Sequence, residues 1–487
     1  MLEIATIQGM GPKKTQFVWQ KFKVKHIDDL ERLAKSGKLN TLKGWGDKSV
    51  ENILIGIQAK RTHDERVALP VALVWAAQLK EPLHKSGLCD DLEIAGSLRR
   101  RKDTIGDIDI LATSSKPEQV MDLFCSLPLV ERLIGRGPTK ASVRLQNGIN
   151  ADLRVVEKEV FGAALHYFTG SKDHNVLLRQ MGIKKGLTIS EYGVHRGTAE
   201  KKGERLASRT EEDVYRAVGL PYIEPELREN RGEMEAAKNG TLPSLIEVKD
   251  IKGDLHMHSQ FSDGSATMVE MAQAAKEVGL RYIAITDHAS AMGMVRGIKE
   301  GNIRDYLKRI EEARKAVTGI EILSGTEVDI LEDGSLYLSD DSLVHLDWVV
   351  ASIHGNFQLS RDKMTERLIR AIEHPAVCVI GHPTARLLLK RDGIDFDVEA
   401  VFQAAKEHKV ALELNASIYR LDLNDILCKR AKDMGIPITI DCDAHHPREL
   451  DYRFGIFQAR RGWLEKGDVL NTQSFEKLQQ WIKARKR

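Results

Sequence analysis

The chain has 487 residues, 42% of them apolar and 30% charged, an ordinary globular balance and too long for a single hydrophobic core. It carries no run of 18 apolar residues and no basic, apolar leader with a cleavage site, so a membrane-spanning helix and a secretory route are not expected. The net charge of +2 hides an asymmetry: residues 1–210 hold 35 Lys and Arg against 25 Asp and Glu, the remainder 38 against 46. A basic front half suits a phosphate-backbone partner. Cys89, Cys125, Cys378, Cys428 and Cys442 show no CxxC spacing and read as reduced, buried thiols of a cytoplasmic protein.

Residues 1–60 are predicted helical and contain a local repeat. "IQGMGPKKTQFVWQKF" and "LKGWGDKSVENILIGIQ" each place two glycines, Gly9 and Gly11 or Gly44 and Gly46, before an amphipathic stretch. Such glycines allow a tight turn with φ > 0, which presents backbone N–H groups to a phosphate at a helix N-terminus. Lys13, Lys14 and Lys48 add charge. The pattern resembles the helix-hairpin-helix, a sequence-independent DNA-backbone module, although the second copy also reads as a plain structural turn.

Residues 62–155 mix helices with strand-like runs: "LEIAGSLRR", "GDIDILAT", "SVRLQNG" and "INADLRVV". Asp107 and Asp109 stand at i and i+2, so both carboxylates face one way along a strand. Asp152, on another run, can complete a set of three. Three neighbouring carboxylates repel one another. Two Mg²⁺ ions remove that cost and build a site for in-line phosphoryl transfer. Gly96 and Ser97 make a tight turn, with Arg99 and Arg100 beside it as candidate triphosphate partners. Residues 156–232 look mainly helical around a strand-like "LTISEYGV", and the stretch from Pro221 to Pro243 reads as a linker or wrapped connector.

With "YFTGSKDHNVLLRQMGIKKGLTISEYGV" added, residues 1 to about 232 resemble a family X DNA polymerase, the group that includes DNA polymerase beta. The resemblance implies that Asp107, Asp109 and Asp152 hold the catalytic Mg²⁺ pair. It implies Ser97 and Arg100 on the incoming triphosphate, with Gly96 and Gly106 shaping that loop. Tyr167 and Phe168 would line the sugar and base pocket, Gly170 would make the turn, Asn175 would reach the nucleotide's minor-groove edge, and Arg179 would touch the template strand. Two departures stand out. Residue 1 falls almost at the second helix-hairpin-helix, so the family's small leading domain is expected to be missing, with its gap recognition and lyase chemistry. Asn150 stands where the polymerase beta branch has a basic residue, which is expected to weaken primer-terminus contacts.

From residue 250 the pattern becomes strand-then-helix. Seven short apolar strands are predicted: "IKGDLHMH", "YIAITDH", "EILSGTEVDI", "WVVASIH", "VCVIGHP", "ALELNAS" and "PITIDCDAH". The alternation argues for a parallel sheet, closed as a barrel or open. His256 and His258 project together from the first strand. Asp263 follows the same strand, and His288, Glu327, His354, His382, Asp443 and His445 fall at the ends of other strands, where barrel enzymes keep their active sites. Imidazoles and carboxylates in this mixture suit Zn, Mn or Fe, and nine such groups fit two or three ions. The chemistry this predicts is metal-assisted phosphoester hydrolysis. Asp287, His345, His374 and His446 are read as supporting or surface residues.

This half resembles the polymerase-and-histidinol-phosphatase (PHP) domain, a distorted (βα)7 barrel with a trinuclear metal site. The resemblance groups His256, His258, Glu327 and Asp443 on one ion, Glu327, His354 and His382 on a second, and Asp263, His288 and His445 on a third, with Glu327 as the bridge. Mn²⁺ is the family's usual metal, and Zn²⁺ suits the same ligands.

The expected organisation is therefore multidomain α/β: helical fingers 1–61, a nucleotidyltransferase palm 62–155, a thumb 156–232, a linker 233–249 and a barrel 250–487. The expected function is a monomeric, cytoplasmic, nucleoid-associated repair polymerase that fills gaps in primer-template DNA from deoxynucleoside triphosphates. Its barrel would act on DNA ends as a 3′→5′ exonuclease, a 3′-phosphatase or an abasic-site endonuclease. The rivals are an end-processing phosphoesterase whose front half only holds DNA, and a DNA-end scaffold without catalysis.

Overall fold

Strand alternation builds the first sheet. In "KASVRL" and "NADLRVV" buried and half-exposed residues take turns along the chain, so Ala151, Leu153 and Val155 enter the core while Asn150, Asp152 and Arg154 share the other face. The computed structural model that shows this describes residues 4, 7, 10–42, 45–64, 66–290 and 296–485.

The front of the chain is a small helical unit: α1 (Pro12–Phe22), α2 (Ile27–Lys35) and α3 (Asp47–Asp64) around Val18, Leu30, Trp45 and Ile53. Gly11 caps α1 in an extended conformation (φ −73°, ψ 170°), just before a proline at the first helical position. The positive φ expected of the glycine turn is found neither at Gly11 nor at Gly46; at Gly11 the proline that follows disfavours the helical region and holds it extended. Gly9 and Gly44 lie outside the described residues.

The palm packs α4 (Leu69–Lys85) through Leu69, Ala72, Ala76, Leu79 and Leu83, an i, i+3, i+4 stripe, against a five-stranded sheet. Its strands are β1 (Leu92–Ile94), β2 (Asp107–Thr113), β3 (Val130–Arg136), β4 (Lys140–Leu145) and β5 (Asn150–Val156), in the order β1-β2-β5-β4-β3. β2 and β5 run parallel, with Asp109 opposite Asp152 and Asp107 opposite Asn150. After β1, the predicted strand turns at once into a four-residue helix, α5 (Gly96–Arg99). β3 carries no predicted strand because its residues are almost all exposed and do not alternate.

The thumb holds α6 (Phe161–Thr169), α7 (Lys172–Lys184) and an antiparallel sheet of β6 (Leu187–Ser190), β7 (Gly193–Gly197) and β8 (Lys202–Ala207). "LTISEYGV" is thus a hairpin and not one strand. The proline-punctuated stretch is a wrapped connector: a helix at Glu233–Asn239 buries Met234 and Ala237 in the thumb core.

Seven strands then follow in chain order: β9 (Gly253–Met257), β10 (Tyr282–Ile285), β11 (Glu321–Asp329), β12 (Trp348–Ser352), β13 (Val379–Ile380), β14 (Ala411–Asn415) and β15 (Ile438–Asp441). Each pairs in parallel with the next. A parallel bridge between Met257 and Ala444 closes the ring. β9, β10, β12, β14 and β15 are buried throughout, as strands covered on both faces must be. The terminal helix, Phe475–Arg485, plugs the bottom with Leu478 and Ile482 against Leu255, Tyr282 and Trp348. The strand C-termini remain open at the top.

The barrel is locked to the front half. Arg386 reaches Asp103 of the palm at 3.0 Å. Arg461 joins Glu229 (2.9 Å) to Asp425 (2.6 Å) and donates to the Arg100 carbonyl at 2.7 Å. Among the described residues no helix is long and apolar enough to cross a membrane. Cys378, Cys428 and Cys442 are buried free thiols, whereas Cys89 and Cys125 are half-buried, because they lie at the palm's edge and not in its core.

Candidate active sites

The palm site begins with a close approach. Gly96 opens α5 at φ +62°, and a Cβ there would stand 2.2 Å from Asp109 Oδ2. Only glycine serves at this position, for both reasons. Burial, then the neighbouring Asp107 and Asp152, pushes the Asp109 carboxyl up to about 7. Burial and Asp152 raise Asp107 as well. Asp152 is paired with Lys140 at 2.9 Å. Among the described residues, the groups whose ligand atoms all lie within 4.8 Å of one another are in the barrel; the three palm aspartates are neighbours on adjoining strands but are not drawn that close. The residues fit divalent cations: a carboxyl raised by burial and by two neighbouring carboxylates is what a cation would relieve.

Around them, Ser97 lies in the first turn of α5, and at Gly106, just before Asp107, a Cβ would stand 3.1 Å from an Arg66 guanidinium nitrogen. The two arginines have partners that sequence reasoning missed. Arg99 is held by Glu211 (2.9 Å) and Thr169 Oγ1 (2.6 Å). Arg100 donates to the Thr169 carbonyl (2.6 Å) and to Glu229 (3.0 Å). Both therefore latch palm to thumb. Tyr167 and Phe168 meet edge to face, with the Arg154 guanidinium 4.5 Å over Phe168. Gly170 ends α6 at φ +69°. Asn175 donates to the Tyr167 carbonyl at 2.7 Å, and Arg179 lies one turn on, its Nε 3.3 Å from the Asn175 carbonyl. Asn150 accepts from Arg144 of β4 at 3.1 Å, so a cation reaches this position from the neighbouring strand. In the fingers, Lys13 and Lys48 are exposed. Lys14 is not: it bonds Ser49 at 2.8 Å and lies over Trp45, tying the two glycine segments together.

The barrel rim brings all nine predicted groups to one place. Glu327 is central. Its Oε1 lies 2.9 Å from His382 Nε2 and 3.2 Å from His354 Nε2. Its Oε2 lies 2.9 Å from His288, 3.4 Å from His256 and 3.5 Å from His258. Asp443 stands 3.1 Å from His258, and Asp263 is 3.4 Å from His445. Three groups of ligand atoms result: His256, His258, Glu327 and Asp443; His258, Asp263, His288 and His445; and His288, Glu327 and His354. His258 and His288 thus serve two groups each, and His288 replaces His382 beside Glu327 and His354, so the expected grouping is corrected there: His382 meets Glu327 but belongs to none of the three groups.

Supporting carboxylates fix the rings. Glu413 takes His256 Nδ1 at 2.6 Å and Asp329 takes His354 Nδ1 at 2.8 Å, leaving each Nε2 aimed at Glu327, the arrangement that orients metal-binding imidazoles. Glu413 was missed, though it stands two residues before Asn415, the last residue of the one strand assigned no ligand. Asp287 is a buried anchor for Ser259 and Ser262; His345 and His446 are exposed, and His374 meets Asp340.

Carboxylates and imidazoles of the cluster shift one another strongly. Burial opposes the charge on Glu327, yet His354, His288 and His256 hold it well below the carboxylate range. Burial and the neighbouring imidazoles of His288 and His445 depress His258 to about 3, whereas at His354 burial is outweighed by Glu327 and Asp329, which raise it to about 10. His256 Nε2, His258 Nδ1, His382 Nδ1 and Glu327 Oε2 are buried with no hydrogen-bond partner. Such atoms are costly, and divalent cations fit the set.

A carboxylate-bearing palm with a thumb, joined to a histidine-lined parallel barrel, defines a two-centre, metal-dependent phosphoryl-transfer protein. Family models agree: residues 164–229 match "DNA polymerase beta thumb" and residues 254–417 match "PHP domain". The chain is 36% identical over 486 residues to "DNA polymerase/3'-5' exonuclease PolX" of Bacillus subtilis, covering 99% of this chain and 84% of that one. It therefore belongs to the PolX family. A "Probable phosphatase" of Thermoanaerobacter sp. is 33% identical over 252 residues, 48% of this chain and 95% of its own. A crystal structure of Leishmania infantum polymerase beta in a ternary complex is 25% identical, with a TM-score of 0.32, over 47% of this chain and 97% of that one.

Proposed function

We propose that this chain is a DNA repair polymerase with a 3′→5′ exonuclease centre. The palm adds nucleotides to a primer 3′-hydroxyl, with Asp107, Asp109 and Asp152 as ligands for two Mg²⁺ ions. Ser97, Arg100 and the Gly96 and Gly106 turns receive the triphosphate, Tyr167, Phe168, Gly170 and Asn175 the nucleoside. Arg179, Lys13 and Lys48 meet the DNA. In the barrel the nine rim residues would hold Mn²⁺ or Zn²⁺, up to three ions, with Glu327 as the shared ligand. Bound there, such ions lower the pKa of a water and polarise a phosphoryl oxygen. Water adds to phosphorus, the P–O3′ bond breaks, and the shortened strand keeps the 3′-hydroxyl that the palm can extend. A DNA substrate also suits a cytoplasmic, nucleoid-associated place.

The observation that carries this reading is Glu327, whose two oxygens divide five histidines between them. One crossed experiment tests it: primer extension and 3′ degradation on one gapped duplex, for wild type, Asp107→Ala and His256→Ala. Each substitution should remove one activity and leave the other. The Asp152–Lys140 pair favours a second reading, a phosphoesterase whose palm only holds DNA. That reading wins if wild type extends no primer with any metal yet still degrades its 3′ end.

A further inference from the structure

Beside the rim ligands Asp443 and His445 opens a cleft of about 600 Å³, within the range that encloses a nucleotide-sized ligand. Its lining is not what metal ligation or core packing requires. Tyr419 is 61% exposed and Ile418 38%, an aromatic and an aliphatic side chain left open next to a charged centre. Arg420, Lys390 and Arg448 bring positive charge to the same walls. Arg420 Nε lies 3.7 Å from Asp443, and Lys390 Nζ lies 5.6 Å from the Tyr419 ring centre. The acids on these walls are already engaged: Glu449 accepts the backbone N–H groups of His445 and His446, and Asp451 is paired with Arg453.

The walls are held in place. Leu388 N–H donates to the Tyr419 carbonyl at 2.8 Å. Arg386 grips the Arg420 carbonyl (3.0 Å) and Asp103 of the palm (3.0 Å). The palm itself supplies part of the lining through Pro70, so the cleft belongs to the joined halves. A flat ring with a cation beside it, one step from phosphate-directed metals, is the combination by which proteins hold a single-stranded nucleotide without reading its base.

Resting on the exonuclease reading above, we propose that this cleft seats the 3′-terminal nucleoside of a DNA strand. Tyr419 stacks on its base, and Lys390 and Arg420 face the phosphate that leads to the metal centre. Tyr419 acts as a sequence-tolerant specificity residue that favours strand ends over small phosphomonoesters.

The test uses the full-length protein and single-stranded oligonucleotides that carry 2-aminopurine as the 3′-terminal base. In EDTA, wild type and Tyr419→Phe should quench the fluorophore, and Tyr419→Ala should not. With Mn²⁺, Tyr419→Ala should raise KM for 3′ degradation roughly tenfold, in line with the loss of one base–aromatic stack, with kcat changed far less. The Phe variant should restore KM. Equal quenching and equal KM in Tyr419→Ala overturn the proposal, and so does a fall in kcat with KM unmoved. If wild type degrades no strand with any metal, the exonuclease reading fails, while the quenching comparison still decides whether the cleft binds a 3′ end.

Discussion

The barrel and the palm face the same problem, acidic and imidazole groups crowded where phosphate chemistry needs cations, and they handle it differently. At the rim, each central carboxylate already has imidazoles around it, and Glu413 and Asp329 orient the rings from behind. The charge is balanced internally, so the ligands stand in place. In the palm, a lysine pairs directly with one of three aspartates, arginines act from further off, and burial together with the remaining repulsion raises the Asp109 carboxyl to about 7. The barrel groups already stand within ligand distance of one another, whereas the palm carboxylates would need cations to offset their repulsion.

The largest effect should come from the shared ligand. Glu327→Ala is expected to lower 3′ degradation by more than about 100-fold, beyond what loss of a supporting contact costs, with primer extension retained. A gel that resolves both products checks it. Glu413→Gln keeps the fold's shape but weakens the grip on the His256 ring, and should cost about 10- to 100-fold in barrel metal affinity, read by competition with a chelating dye.

In the palm the sign of the pH effect separates the two centres. Ion binding must displace the Asp109 proton, so Mg²⁺ affinity should climb roughly tenfold per pH unit up to about pH 7 and then level off. Without metal, the raised carboxyl acts against the fold: the native state binds the proton more tightly than the unfolded chain, so stability falls as pH rises from about 4 through 7. Asp109→Asn removes that loss. It should gain about 1–2 kcal/mol in EDTA at pH 8, after discounting for partial exposure, and nothing at pH 4, by denaturant titration. The smallest effect should be that of Lys140→Ala, which frees Asp152 and should tighten Mg²⁺ only a few-fold.

The sequence showed the barrel more fully than the palm, for a physical reason. Histidines at i and i+2 and at strand ends are expensive to bury unless something binds them, so the nine rim positions could be read directly, and parallel strands then had to gather them. Glu413 escaped because a carboxylate inside an apolar strand carries no sign of which ring it orients. In the palm, the DxD and Asp152 were legible, yet their separation depends on Lys140 and on the register of two strands. The partners of Arg99 and Arg100, Glu211 and Glu229, lie more than a hundred residues away, beyond any local pattern. Exposed β3 lacks the alternation that reveals a strand, and the extended backbone of Gly11 follows from Pro12, a neighbour effect stronger than the Gly-x-Gly pattern.

The central claim is that one chain holds two separate cation sites. Metal content after exhaustive dialysis against metal-free buffer tests it most directly, measured on wild type, Glu327→Ala and Asp109→Asn. Two or three tightly held ions in wild type and in Asp109→Asn, with most of them lost from Glu327→Ala, is the predicted result. Loss of ions from Asp109→Asn, or full retention by Glu327→Ala, would contradict it.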